Sequence, residues 1–224
     1  MSIVLSASKI GNYETCPLQY HWNYNLKLIS IPGRALELWS KYHEIVRQYH
    51  IDWNKHDNKI GEEYDLLRAY IKNPMPGEIV ETEQKETFDI PCTDIKVTVI
   101  IDRKDTDKII DYKTTSVDYK IEDCKNIQSL LYVYKFWLSE WIVYPFYFHV
   151  VNKKKVHQKK YLPQIIWPIK YTEKELEEVP CILEEFVKKI ETWKFKATPS
   201  PKCYGCNFGP MWLDYCKEYK KMYW

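Results

Sequence analysis

Glycine is scarce in this chain, with six in 224 residues. That leaves little room for a glycine-rich loop cradling phosphates, and no Walker-type motif occurs. Long apolar runs are also missing, because Lys, Asp, Glu or His interrupts each one before it reaches membrane-spanning length. The opening Met-Ser-Ile-Val-Leu-Ser-Ala-Ser-Lys carries no basic leader and too short an apolar stretch for a secretory signal. These absences predict a soluble, cytoplasmic chain. Neither sign of charge dominates, since 33 Lys and Arg against 31 Asp and Glu leave a net +2. Any phosphate-binding surface must then come from local clustering. No repeat, low-complexity tract or Gly/Ser linker breaks the sequence, so one large domain over 1–224 is the simplest division.

What the chain does have is rings and thiols. Aromatic residues make up 16% and hydrophobic residues 45%, enough for a substantial core. Seven cysteines in a cytoplasmic chain read as metal ligands plus buried thiols, not as a disulfide framework.

The periodicity predicts an α/β order. Ser6 or Ser8 can cap a first helix that runs to about Thr15 and breaks at Cys16-Pro17. Ala35, Leu38, Trp39, Tyr42, Ile45, Val46 and Tyr49 have helical spacing over 33–50, and a shorter helix covers 61–72. Residues 78–90, 95–103 and 107–115 read as three strands joined by polar turns. A helix is predicted over 122–139, then strands over 141–151 and 159–171. Thr172 with Glu175 forms a capping box for a helix reaching about Trp193. The segment 194–224, rich in Pro, Cys and rings, has little to fold around unless it is cross-linked.

The sharpest pattern is Val99-Ile100-Ile101-Asp102-Arg103, a turn, then Ile109-Ile110-Asp111-Tyr112-Lys113-Thr114-Thr115. Side chains alternate along a strand, so Asp111 and Lys113 share a face. A turn centred between Asp105 and Thr106 sets Ile109 opposite Asp102 and makes Asp111 its diagonal neighbour, roughly 7–8 Å away at Cα. Two carboxylates can then converge on one hard cation with an ammonium beside it. Phosphodiester hydrolysis needs those groups: the ion lowers the pKa of a water and neutralises charge, and the lysine orients the water or stabilises developing charge. Oxygen-rich ligation suits Mg²⁺ or Mn²⁺ better than zinc. The plainer alternative is an exposed hairpin face with a salt bridge, but Ile-Ile precedes each aspartate, and a charged face on so apolar a strand needs a reason.

These residues, in this order, resemble the RecB-like PD-(D/E)xK nucleases. The hairpin with Asp102 and Ile109–Thr114 is similar to that family's active-site hairpin. Ser6–Ile10 through Cys16-Pro17-Leu18-Gln19-Tyr20 resembles its opening helix, Trp39–His43 its helical histidine motif, Gln128–Tyr132 its glutamine–tyrosine helix, and Cys203, Cys206 and Cys216 its terminal cysteines. The ordered set is most similar to the CRISPR-associated RecB-like exonucleases and their viral counterparts. It implies a restriction-endonuclease-like core, with a mixed central sheet flanked by helices and a cysteine-stapled region formed by 1–30 and 194–224. It implies a deoxyribonuclease acting on single strands or DNA ends. His43, Asp102, Asp111 and the carbonyl of Tyr112 would hold Mg²⁺ or Mn²⁺, and Lys113 would act on the attacking water. Gln128 and Tyr132, neighbours at i and i+4, would hold Lys113 or contact phosphate. Two departures stand out. Trp39 occupies a place that is usually glycine, and Cys216 lies nine residues beyond Cys206.

Other residues stay ambiguous. Glu83 and Glu86 alternate with polar neighbours as a solvent-facing strand would, although Glu83 is the better candidate for a further acidic group. Cys203-x2-Cys206 fits a metal knuckle. Cys216 and, from the resemblance, Cys16 would complete a 4Fe–4S site, with zinc as the alternative. Cys92, Cys124 and Cys181 compete for the fourth place, the last two reading as buried helical thiols. Lys153, Lys154, Lys155, Lys159 and Lys160 form a basic hairpin. Lys220 and Lys221 lie among rings at the end of the chain, as on a strand-stacking surface. The expected partner is DNA, with a homo-oligomer or a helicase- or integrase-type protein as further candidates. Two rival readings are a DNA-binding assembly subunit that keeps the nuclease fold, and a zinc-stapled structural protein.

Overall fold

The computed structural model describes residues 3–28, 34–52, 60–120, 124–192, 194–198, 200, 203, 206 and 216. In chain order the elements are β1 (Ile3–Leu5), α1 (Ala7–Thr15), α2 (Pro17–Tyr20), a π-helical turn (His21–Asn25), α3 (Arg34–Ile51) and α4 (Glu62–Lys72). There follow β2 (Ile79–Asp89), β3 (Ile95–Asp105), β4 (Ile109–Thr115), α5 (Ile127–Glu140), β5 (Phe146–Asn152), β6 (Gln164–Ile169), α6 (Glu173–Glu177) and α7 (Val179–Glu191). Contacts divide the chain into two units. One comprises 1–33, 88–98 and 180–224, the other 34–87 and 99–179.

In the first unit β1 pairs in parallel with the start of β3, Ile3 beside Ile95 and Leu5 beside Val97. Ser6 caps α1 through its hydroxyl, which accepts the Lys9 N–H. The helix stops at Cys16, whose extended backbone lets Pro17 open α2 at the one helical position where a missing N–H costs nothing. Tyr13, Tyr20, Phe186 and Phe195 form a ring cluster with centroids 5.3–6.4 Å apart. The Leu18 N–H donates to the Lys196 carbonyl at 3.3 Å.

The second unit is built on a mixed sheet flanked by helices. β4 lies antiparallel to β3 and parallel to β5; β6 runs antiparallel to β5, and β2 lies against β3. The alternation of β4 sorts its side chains. Ile110 and Tyr112 join a buried cluster with Leu38, Tyr42 and Val46 of α3 and Leu66, Leu67 and Tyr70 of α4. Asp111 and Lys113 face the other way, toward Gln128 on α5. Each apolar side chain in that cluster contributes on the order of 1.5–3 kcal/mol on burial.

Behind β3 the structure holds a buried ion pair. Arg103 is 1% exposed and donates twice to Asp105, from Nε to Oδ1 at 2.6 Å and from Nη2 to Oδ2 at 2.8 Å. Its remaining donors reach the carbonyls of Met75 and Gly77. On the Tyr112 side, His50 Nε2 lies 2.9 Å from the Tyr70 hydroxyl and 3.1 Å from the Tyr112 hydroxyl. Burial pushes the imidazoles of His50 and His149 down to about 4, so both are neutral in this core.

Several local expectations are corrected. The hairpin register differs by two residues: Arg103 pairs with Ile110 and Lys104 with Ile109, which sets Asp102 opposite Asp111, not opposite Ile109. The turn is centred on Thr106 and Asp107, closed by the Asp105 N–H on the Lys108 carbonyl. Trp141 ends α5 in a left-handed conformation (φ +58°), and β5 begins only at Phe146. The helix predicted over 172–193 is two helices, parted at Glu178. Cys181 is exposed, and Cys124, though buried, lies in a turn before α5.

Candidate active site

The centre of the site is the point where β3 and β4 separate. Beyond the Arg103–Ile110 pair the Tyr112 N–H donates to Asp102 Oδ2 at 2.7 Å. A carboxylate thus stands where a strand carbonyl would. Its other oxygen lies 3.4 Å from His43 Nδ1, which is also 3.0 Å from Glu83 Oε1. The opposite ring nitrogen, Nε2, is 3.0 Å from the carbonyl oxygen of Tyr112. His43 is 4% exposed and Asp102 likewise 4%. Of the described residues that could hold an ion, one group has ligand atoms all within 4.8 Å of one another: His43, Glu83 and Asp102.

Asp111 and Lys113 complete the arrangement from the α5 side. Asp111 is 1% exposed. Its Oδ1 accepts Gln128 Nε2 at 2.7 Å, and its Oδ2 lies 2.8 Å from Lys113 Nζ in an ion pair off hydrogen-bond geometry. Lys113 Nζ donates to Gln128 Oε1 at 3.0 Å, and Gln128 Nε2 also reaches the Tyr132 hydroxyl at 3.0 Å. One amide therefore ties acid, ammonium and phenol together. Asn126 positions that amide by capping α5, its side chain accepting the N–H groups of Gln128 and Ser129.

Electrostatics follow from this packing. Burial disfavours charge on His43, but the carboxylates of Asp102 and Glu83 outweigh it and raise the imidazole to about 10. Burial raises Asp111 to about 6, with Asp102 adding to the shift and Lys113 opposing it. For Lys113 burial works against the charge, yet Asp111 and Asp102 hold its pKa above the ordinary lysine value. Lys113 is thus a fixed cation and not a base. Tyr132 is pushed up, by burial first and then by Asp111 and Asp102, and stays a neutral donor.

Glu83, which the sequence suggested was solvent-facing yet the better candidate for a further acidic group, lies against His43. Its φ is +49°, in the left-handed region that side chains rarely adopt. The alternation of β2 slips there: Ile79 and Glu81 are partly buried on odd positions, whereas Glu86 and Phe88 are so on even ones. A strand read at strict period two turns Glu83 outward. The irregular backbone aims it at His43.

The donors on the Nδ1 side of His43 suit a hard divalent cation, one imidazole nitrogen with carboxylate oxygens of Glu83 and Asp102, and one buried Asp111 oxygen lacks a hydrogen bond; the Tyr112 carbonyl lies on the Nε2 side. The other predicted residues are less assembled. Lys153, Lys154, Lys155, Lys159 and Lys160 fall in the turn between β5 and β6, and Lys155 is paired with Asp118 at 2.7 Å. Lys220 and Lys221 lie outside the described residues. Cys16, Cys203, Cys206 and Cys216 are partly buried, and the Cys206 N–H donates to the Cys203 carbonyl at 3.1 Å.

The β3–β4 hairpin thus gathers a His–Glu–Asp cluster able to hold a cation beside an Asp–Lys pair, and comparison with known proteins gives the family. The model of the PD-(D/E)XK nuclease superfamily matches residues 63–211, and the chain belongs to that superfamily. It is thereby a nuclease, a hydrolase acting on nucleic acid. In fold it is similar to the crystal structure of a Eubacterium rectale protein that bears the name "putative exonuclease", with 17% identity and a TM-score of 0.54 over 84% of this chain and 79% of that one. The chain has no match among curated proteins. No helix among the described residues is long and apolar enough to cross a membrane.

Proposed function

We propose that the chain is a divalent-metal-dependent deoxyribonuclease that hydrolyses phosphodiesters of single-stranded DNA or DNA ends as an exonuclease. The observation that carries this reading is the convergence of His43, Glu83 and Asp102 with Asp111 and Lys113 at one hairpin. His43, Asp102, Asp111 and the Tyr112 carbonyl would hold Mg²⁺ or Mn²⁺, with Glu83 beside His43. Such an ion, when bound, lowers the pKa of a water and offsets charge on the phosphate. Lys113, kept cationic by Asp111, donates to the incoming water or the phosphate oxygens. Gln128 fixes the direction of Nζ, since its amide oxygen accepts from Lys113 while its amide nitrogen holds Asp111. Tyr132 accepts from the same amide nitrogen and would contact phosphate or help hold Lys113 through it. The rival reading, an assembly subunit with a spent site, is disfavoured because each of these groups is present and paired.

The test is cleavage of end-labelled single- and double-stranded DNA with Mg²⁺ or Mn²⁺, comparing the chain with its Lys113→Ala variant. Metal-dependent cleavage by the former, lowered at least a hundredfold in the latter, is expected from the loss of one charge-stabilising donor. Equal rates would refute the assignment.

The same proposal gives Cys16, Cys203, Cys206 and Cys216 a 4Fe–4S cluster, with zinc as the alternative. In support, Leu18 bonds the Lys196 carbonyl and His21 stacks on Phe195 at 4.6 Å, so the chain ahead of Cys203 passes close to that following Cys16. The order of the motifs supports the further proposal that the chain is of the CRISPR-associated exonuclease type. DNA is the proposed partner, with basic contacts at Lys153–Lys155, Lys159, Lys160, Lys220 and Lys221; a protein partner or second copy would join at ends being processed. The cytoplasm is the proposed compartment.

A further inference from the structure

Trp39 stands one helical turn ahead of His43 on α3, and the two rings meet with centroids 4.1 Å apart and planes at 41°. The imidazole beneath is 4% exposed while the indole is 37% exposed. The indole therefore covers the outer side of a histidine whose Nδ1 faces Glu83 and Asp102. Leu36, one turn earlier on the same side of the helix, is 52% exposed and extends the apolar surface. Single exposed apolar side chains are ordinary on protein surfaces. An indole resting on an imidazole inside an acidic cluster is in a particular place, and its position calls for a physical reason.

We propose that Trp39 is a stacking platform for the nucleobase adjoining the cleaved phosphate; this rests on the nuclease reading above. A phosphate drawn to a cation at His43 and Asp102 would carry its base one sugar away, within reach of an indole touching His43. Aromatic side chains stack bases with little regard for sequence, because every base has a π-face. A rigid indole loses little conformational freedom in doing so. A base inside a duplex already has both faces covered by its neighbours and must be unstacked first. Trp39 thus selects an unpaired nucleotide, on a single strand or a frayed end, in preference to an intact duplex interior.

The test uses fluorescently labelled single-stranded oligonucleotides carrying one abasic nucleotide walked along the strand. Binding is followed by anisotropy with Mn²⁺ in the Lys113→Ala background, where cleavage is suppressed. Adding Trp39→Ala should weaken binding of the intact strand roughly tenfold or more. At the stacked position the abasic strand has already lost that contact, so Trp39→Ala should change its binding less than twofold. Trp39→Tyr should keep most of the affinity, while Trp39→Leu, which retains an apolar cover for His43 but no π-face, should lose it. Equal losses for intact and abasic strands at every position, or equal affinities for the Tyr and Leu variants, would overturn the stacking role. If the unsubstituted chain cuts no DNA, the nuclease reading itself fails; if it cuts while the losses are equal, only Trp39 is misassigned.

Discussion

Gly77→Ala is a severe test of how the hairpin is held. Gly77 has φ +145°, a conformation that side chains rarely adopt, and a Cβ there would lie 2.1 Å from Asp105 Oδ2 and 2.6 Å from Lys108 Nζ. The lysine end can swing away. The carboxylate cannot do so freely, because both its oxygens accept from Arg103, which is itself fixed by the Met75 and Gly77 carbonyls. Backbone strain at such a position costs about 1–3 kcal/mol. Displacing the carboxylate leaves a buried guanidinium without its counter-charge, at about 3–5 kcal/mol. A loss of at least about 4 kcal/mol is a large part of the 5–15 kcal/mol typical of a native domain. Urea unfolding of the chain and of the variant measures it. The Gly77→Ala/Asp105→Ala pair separates the two contributions, since without the carboxylate the alanine should add only the backbone cost. A single-variant loss below about 1 kcal/mol would show that Asp105 moves at no expense, and the rigidity ascribed to the pair would be wrong.

Four further outcomes are expected. In the ion-free protein His43 is held protonated up to about pH 10, so the stability it contributes is complete below about 6.5 and is lost as pH rises through 10. A metal ion needs the neutral ring, so Mn²⁺ uptake at pH 7.5 should release close to one proton and tighten toward pH 9; calorimetry in two buffers of different ionisation enthalpy checks both, and pH-independent, proton-silent binding would contradict them. Gln128→Ala should cut kcat by about 10–100-fold, because it frees Nζ, and cost about 1–3 kcal/mol in unfolding, because the buried Asp111 carboxylate loses its hydrogen bond; a change confined to KM would place Gln128 in binding instead. Cys203→Ser should lower stability and remove any brown colour, whereas a colourless protein with stoichiometric zinc would replace the cluster by zinc. Replacing Lys154, Lys159 and Lys160 by Ala should flatten the salt dependence of DNA affinity by up to about 3 in the log–log slope; an unchanged slope removes this turn from the interface.

Much of the site could be read before any coordinates, because its strongest signals are local. Asp111 and Lys113 share a face by strand alternation alone, and Gln128 and Tyr132 by helix geometry; the structure brings all four together. The regular elements were legible for the same reason, with Ser6, Pro17 and the Thr172–Glu175 box marking real boundaries. What escaped depends on tertiary detail. The hairpin register is set by Arg103 drawing Asp105 back into the core and by the Thr106 N–H reaching the Glu78 carbonyl, neither of which a turn rule contains. Glu83, singled out as a candidate, was still read as solvent-facing because one left-handed residue reverses the phase of its strand. Trp141 looked like the start of a strand but is the last stop of a helix, adopting a conformation more common for glycine or asparagine.

The bond from the Tyr112 N–H to Asp102 makes one carboxylate serve both as a rung between strands and as a chemical group. On the proposed reading, assembling the hairpin and assembling the reactive centre are then a single event. Replacing Asp102 by alanine removes two things at once, and a dead variant would say little about which mattered. Asparagine, which still offers an oxygen to that amide, is the substitution that separates scaffold from reactivity.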